Sequence, residues 1–477
     1  MASTTTKCPV VLVHGVFGYG KTRPLWNCWS AYWPEGALNE MNRNHITVDV
    51  GALSSDHDRA CEAFYQLYGG RVDYGEAHSR AAGHNRLGAT FETPLHPNWS
   101  ASNAVHLVGH SFGATTALEL YQLICSDFFG VGSDHRWVVS LVSIAGPLTG
   151  STVTHLFGLH ELRMVPYSLG HFIGAALGVW FKLHTDWPVL RQVFDFRMPQ
   201  WRCVNTFREI LSPCGRINGS TDLAVFNILP RERMRRNARL IHMDKIFLVS
   251  VATSSHVALP RFEIALTVLV VAFVIAAAVG ISGGHLVLVG LSALALFALV
   301  PALRLRVRAL DYASIPSLYA LLLAMRRHVR TLDMIFDGFD RELWGENDGA
   351  VNLHSMRQPW ASGSESKSSR AESDTESTAS TSLSLSLEAA ELSKATVDLH
   401  SKDELNGINQ RQMDLDPTDS ANFPKLRRGN WYVHRVEKNH MAGTYFDSNS
   451  PELFQRLFRV MATRFETPQR PDGRRTS

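Results

Sequence analysis

Short β-branched apolar runs recur through the first half of the chain, at "CPVVLVHG", "HITVDVG", "AVHLVGHS", "WVVSLVSIAG" and "DKIFLVSVAT". Each ends in Gly, Ser, His or Thr, and several are separated by stretches with helical spacing. Continuous apolar runs without alternation are the mark of strands covered on both faces. With helices between them they predict βαβ units and a largely parallel sheet, an α/β fold spanning about residues 8–260. A different pattern occupies 264–303, which contains no Asp, Glu, Lys or Arg. The break at Ser282–Gly284 divides it into two arms of about 18 residues, each about 27 Å long as a helix, close to the thickness of a thin bilayer. This predicts a helical hairpin in a membrane, either spanning it or embedded in one leaflet or a lipid-droplet monolayer; a buried helix pair is the soluble alternative. Arg261 flanks one end and Arg304, Arg306 and Arg308 the other, so the positive-inside rule leaves the body facing the cytosol.

Residues 310–357 return to globular patterning. The stretch 361–420 is rich in Ser, Thr, Glu and Lys, and reads as a disordered insertion, open to phosphorylation, that buries too little apolar area to fold alone. From about 425 to 466 the aromatics return, and "SPELFQRLFRVMATRF" predicts a closing amphipathic helix. Composition adds little: 477 residues, 45% hydrophobic, with a formal net charge of +3, which argues against nucleic-acid binding. Six cysteines without CxxC spacing suggest reduced thiols and no thiolate metal site. The N-terminus has no secretory-signal pattern. Together these readings imply an intracellular membrane such as the endoplasmic reticulum, or a lipid droplet.

The chemistry concentrates in "AVHLVGHSFGATTALELYQLI". Here G-x-S-x-G falls between a strand-like run and a helical one, the arrangement that projects a nucleophilic serine from a tight turn. Alone the motif is weak, since Gly and Ser are common; its flanks make it specific. Ser111 is the candidate nucleophile, and the helix that follows favours negative charge developing beside it. "VVLVHGVFGYG" supplies a second glycine-rich loop after a strand, so the backbone amides of Val16 and Phe112 are candidate oxyanion donors. The partners of such a serine follow in the order Asp, His. Asp348, in "GENDGAVN", and His440, in "EKNHMAGTY", suit those places, although 21 histidines compete. Asp58, His78 and His84, in the segment 54–91, form a mixed oxygen and nitrogen set that suits zinc; H-x5-H is not a diagnostic spacing, and solvated loop residues are the plainer reading.

These blocks resemble the zinc-containing thermoalkalophilic bacterial lipases and their eukaryotic relatives. "DRACEAFYQLYGGRVDYGEAHSRAAGHNRLGATF" is similar to that family's zinc-loop segment, and "VSLVSIAGPLTGSTV", "QVFDFRMPQW", "STDLAVFN", "ENDGAVNLHSM" and "NHMAGTYFDSNSPELFQRLF" match later blocks in order. The similarity covers about 8–255, 335–358 and 428–465, with the hairpin and the Ser-rich stretch as insertions. It implies an α/β-hydrolase fold, a triad of Ser111, Asp348 and His440, and a structural zinc site of Asp58, His78, His84 and Asp222. It also implies a lid within about 150–190, its helix near 167–183, and activity as a membrane-associated lipase on glycerolipid esters. A calcium site in the family uses a glutamate two residues after the histidine; here that residue is Ala442, so calcium is not carried over. Phe112 stands where the bacterial pattern has glutamine. A catalytically silent lipid-binding or tethering protein, and a phospholipase, thioesterase or acyltransferase using the same triad, are the alternatives.

Overall fold

The computed structural model describes residues 4–204, 206–211, 217, 220–255, 269, 272, 276, 285, 287–295, 316–336, 339–359, 410–412 and 426–466. Seven strands form one sheet: β1 (Val10–Val13), β2 (His45–Thr47), β5 (Val105–His110), β6 (Val138–Ile144), β9 (Phe247–Ser254), β10 (Gln410–Gln412) and β11 (Trp431–Glu437). Their order is β10-β11-β9-β6-β5-β1-β2 and every neighbouring pair is parallel. The chain leaves β1 toward one edge and returns to β5 on its other side. The β1/β5 boundary is therefore where strand order reverses, and open parallel sheets form their crevices there, outside the carboxyl ends of the strands.

Both faces of the sheet are covered, which explains the unbroken apolar runs. Val11, Val13, Leu107 and Leu248 join one core, to which α2 (Asp56–Tyr68) and α4 (Phe112–Cys125) contribute Ala60, Phe64, Ala117 and Tyr121. Val10, Leu12, Val108, Val249 and Tyr432 face the other way, toward Leu38 of α1 (Glu35–Met41) and Phe454 and Phe458 of the closing helix Ser450–Val460. Period-2 alternation thus operates inside runs that look uniform in the sequence. The segment 54–91 folds as α2, β3 (Gly70–Asp73), α3 (Glu76–Ala82) and β4 (Leu87–Phe91), with β3 and β4 paired antiparallel.

Beyond α5 (Val153–Leu156) and the small antiparallel pair β7 (Leu159–His160) and β8 (Arg163–Met164), α6 runs from Leu169 to Asp186. It is half core and half surface. Phe181 packs with Phe196, Trp201 and Ile210, while Tyr167, Leu169 and Phe172 near its start are 80%, 56% and 59% exposed.

One expectation needs correction. Gln410–Gln412 lies inside the stretch expected to be disordered, yet it pairs with Trp431–Val433 as an edge strand. Edge pairing uses only backbone groups, so a polar segment can supply it. The rest of 361–420 and most of the 264–303 hairpin lie outside the described residues. Among the described residues, no helix is long and apolar enough to cross a membrane.

The tightest constraint is where α4 starts against β1. A Cβ at Gly113 would lie 2.0 Å from the Val13 carbonyl oxygen, and one at Gly109 2.2 Å from that of Gly113. Backbone cannot yield there as a flexible side chain can. Gly113→Ala is expected to destabilise the fold by about 3 kcal/mol or more, the upper end of overpacking costs, as a lowered urea midpoint.

Candidate active site

Ser111 sits between β5 and α4 at φ 55°, ψ −131°, a strained conformation that costs on the order of 1–3 kcal/mol. Its N–H donates to the Ile144 carbonyl at 2.8 Å, which ties the turn to β6. The side chain is left pointing at the loop after β11, where Ser111 Oγ lies 2.7 Å from His440 Nε2. His440 Nδ1 lies 2.9 Å from Asp348 Oδ2. Since a carboxylate only accepts, Nδ1 carries the proton and Nε2 faces the hydroxyl as an acceptor.

Asp348 is fully buried and well supplied with donors. Thr253 Oγ1, on β9, donates to Oδ2 at 2.6 Å, while the amides of Val351 and Ala350 donate to Oδ1 at 2.8 and 3.0 Å. The turn that presents it depends on Gly349, whose φ of 102° and close approach to the Leu318 carbonyl leave no place for a side chain.

A second chain of hydrogen bonds lies behind the first. The Gly15 amide donates to the Tyr32 hydroxyl at 2.9 Å, Tyr32 Oη is 2.6 Å from His110 Nδ1, and His110 Nε2 is 2.7 Å from the His440 carbonyl. Burial pushes the His110 pKa down to about 3, reinforced by His440. The ring is therefore neutral, with its one proton on Nε2 facing a carbonyl that can only accept, and Tyr32 donates to Nδ1. None of these partners was foreseen; His110 is the variable position of G-H-S-x-G, and only three-dimensional proximity reveals its use.

Val16 follows Gly15 on the loop after β1. Neither the Val16 nor the Phe112 amide is engaged by another described residue, and both belong to backbone flanking Ser111: a Cβ on Gly15 would lie 2.8 Å from Ser111 Cβ. Arg59 fixes this loop against α4. Fully buried, it donates to the carbonyls of His14 and Gly51, the latter at 2.9 Å, and to Thr116 Oγ1 at 3.0 Å, with its guanidinium 5.0 Å from the Phe112 ring. Burial lowers its pKa to about 10, so it stays charged. Thr115 and Thr116 also donate to Asp56, which pairs with buried Arg233.

Asp58, His78, His84 and Asp222 converge beside α2, their ligand atoms within 4.8 Å of one another. His78 Nε2 is 3.0 and 3.3 Å from carboxylate oxygens of Asp58 and Asp222, and His84 Nε2 is 3.4 and 3.1 Å from the other two. Two carboxylates and two imidazoles converging in this way are a donor set that could hold a divalent metal ion, and its chemistry suits zinc. His84 Nδ1 donates to the Asn85 carbonyl at 2.9 Å, turning Nε2 inward, and Gln200 Nε2 donates to Asp58 Oδ2 at 2.6 Å. Burial opposes charge on the two rings, but the carboxylates outweigh it and raise His78 to about 9 and His84 to about 10. Ala442 is buried where the calcium pattern has a glutamate, and nearby Asp447 already has a cation in Lys438, 3.3 Å away.

Residues 6–128 match the family model described as "Lipase-like, C-terminal domain". Lipase 2 of Staphylococcus aureus (strain MRSA252) is 34% identical over 191 residues, covering 35% of this chain and 27% of that protein. The chain thus matches only about a quarter of that relative's length. Among solved structures, EstA from Clostridium botulinum superposes with a TM-score of 0.58 at 19% identity, covering 97% of this chain and 88% of that one. The Staphylococcus hyicus lipase gives 0.57 at 17% identity, covering 95% and 96%. The fold is shared with these proteins.

Two outcomes follow from the geometry. Wild-type protein should carry one zinc per chain and Asp222→Ala none by elemental analysis, with a Tm lower by several degrees because a ligand of the native state is lost; zinc-free protein whose Tm ignores chelators would contradict this. For His110, the unfolded state (pKa about 6.5) binds up to one more proton than the native state between about pH 6.5 and pH 3, so stability falls with acid by up to about 1.4 kcal/mol per pH unit. His110→Asn should be less stable at neutral pH, with a shallower decline in urea-unfolding stability from about pH 7 to about pH 5.

Proposed function

We propose that this chain is a serine carboxylic-ester hydrolase acting on lipid esters of the glycerolipid class. The observation that carries the reading is the continuous contact Ser111 Oγ, His440 Nε2, His440 Nδ1, Asp348 Oδ2, at 2.7 and 2.9 Å, at the start of a helix flanked by two unengaged amides. In this reading His440 takes the Ser111 proton as Oγ attacks the ester carbonyl, and Asp348 holds the ring in the Nδ1–H tautomer and stabilises the imidazolium. The Val16 and Phe112 amides, with the positive end of α4, hold the oxyanion. His440 then returns the proton to the departing alcohol, and water, deprotonated by the same ring, releases the fatty acid from the acyl-enzyme. Support comes from the relatives matched, which are named as lipases.

Asp58, His78, His84 and Asp222 would hold zinc as a cross-link closed by four protein ligands, with no part in the proton transfers. The exposed apolar start of α6 suits a lid that meets a lipid interface. The uncharged 264–303 stretch would anchor the chain in an intracellular membrane or lipid droplet with the catalytic body in the cytosol, and 361–420, apart from the edge strand Gln410–Gln412, would be an insertion.

The test is hydrolysis of short nitrophenyl esters and of emulsified triolein by detergent-solubilised protein. Wild type should prefer the emulsion. Ser111→Ala should lose at least about 10³-fold on both, and Asp348→Asn on the order of 10³–10⁴-fold. Wild-type activity no greater than that of Ser111→Ala, in folded protein, would favour a lipid-binding or tethering role; activity confined to short or thioester substrates would point to an esterase or thioesterase.

A further inference from the structure

The loop carrying Val16 continues into a surface the reaction does not use. Leu25, Trp26 and Trp29 are 37%, 57% and 47% exposed there. The amides of Leu25 and Trp26 donate to the carbonyls of Val193 and Gln192 at 3.0 and 2.8 Å, so the loop lies along the turn Pro188–Gln192. At that turn Trp187 and Val189 are 60% and 64% exposed. Five large apolar side chains from two segments therefore stand in water beside each other, where a soluble surface gains nothing from them.

A cavity of about 400 Å³ lies between the same segments, lined by Arg23, Arg191 and Arg197 with Tyr19, Phe194 and Asp195 among its walls. Arg197 is committed to Asp49 at 2.6 Å and to the Thr22 carbonyl at 2.7 Å. Asp195 accepts the Arg197 amide at 2.9 Å, and Arg191 Nε donates to the His184 carbonyl at 3.1 Å. Among the described residues neither Arg23 nor Arg191 forms an ion pair with a carboxylate, so two arginines without a carboxylate partner line a cavity whose one lining carboxylate is Asp195. Guanidinium groups match phosphate oxygens in geometry and charge, and tryptophan is enriched at the level of lipid headgroups.

We infer that this cavity and its aromatic rim form a docking surface for a phospholipid membrane, with a lipid phosphate between Arg23 and Arg191 and with Trp26, Trp29 and Trp187 seated among the headgroups. Phe17, next to Val16, contacts the cavity residue Phe194 with ring centroids 6.5 Å apart. Docking here holds the loop beside Ser111 at the lipid surface. The inference concerns binding and stands whether or not Ser111 is a nucleophile.

The exposed thiol of Cys28, in the same loop, offers a local probe. A polarity-sensitive fluorophore on Cys28 of full-length Ser111→Ala protein, with Cys28→Ser as the background for other thiols, reads this surface whatever 264–303 does. Emission should shift to the blue on vesicles of phosphatidylcholine with phosphatidylglycerol, less on phosphatidylcholine alone, and less in high salt. In Arg23→Gln/Arg191→Gln the lipid concentration needed should rise roughly tenfold or more, and in Trp26→Ala/Trp187→Ala the shift should largely disappear. The inference is overturned by no shift on any vesicle, by an unchanged lipid dependence in the arginine variant, or by inorganic phosphate alone reproducing the shift, which would make the cavity a site for soluble anions. Retained short-ester hydrolysis by the arginine and tryptophan variants, built with Ser111 intact, reports that they fold; should the chain hydrolyse no ester, near-ultraviolet circular dichroism serves instead.

Discussion

No side chain fits between the first turn of α4 and the end of β1, and the rest of the molecule's chemistry is arranged around that contact. With Gly113 a Cβ's width from the Val13 carbonyl, the turn carrying Ser111 and the loop carrying Val16 are pressed into the same crevice. Close approach of bare backbone leaves many carbonyls with nowhere to go, and Arg59 answers part of that demand by donating to His14 and Gly51. A buried guanidinium is costly to desolvate. Here it stays charged because several acceptors, the Phe112 ring and Asp56 surround it.

The helix supplying Arg59 also supplies Asp58, its immediate neighbour in sequence, to the cluster with His78, His84 and Asp222. One element therefore serves two sets of demands: Arg59 reaches the crevice while Asp58, about 100° round the helix, reaches the cluster. Gln200 links Asp58 and Ser54 through its amide, so the segment before α2 is fastened as well. Whatever orders that cluster also orders the approach of α2 to the crevice.

What could be read from the sequence follows from distance along the chain. The Ser111 elbow lies within a dozen residues, and its strand, glycines and helix are local properties. The parallel sheet was legible in the apolar runs because burial on both faces leaves a compositional trace. Asp348 and His440 lie 237 and 329 residues beyond Ser111 by their numbers, and only a resemblance singled them out among so many candidates. Tyr32, Arg59 and Thr253 were invisible. Each is an ordinary residue in its own neighbourhood and acquires a role only from partners brought by the fold. The edge strand at Gln410–Gln412 was missed for a related reason: backbone pairing leaves no side-chain signature.

The relay from Gly15 through Tyr32 and His110 to the His440 carbonyl has a sense of direction. A peptide N–H can only give and a carbonyl can only receive, so the two ends dictate the orientation of both hydroxyl and ring between them. Such a relay has one stable reading and no mirror image. The backbone of residue 440 is thereby held by a tie that contains no charge and does not titrate near neutrality, while the ring of the same residue is bonded separately, to Asp348 and Ser111. Two networks meet at one amino acid without sharing an atom, because one uses its carbonyl and the other its imidazole.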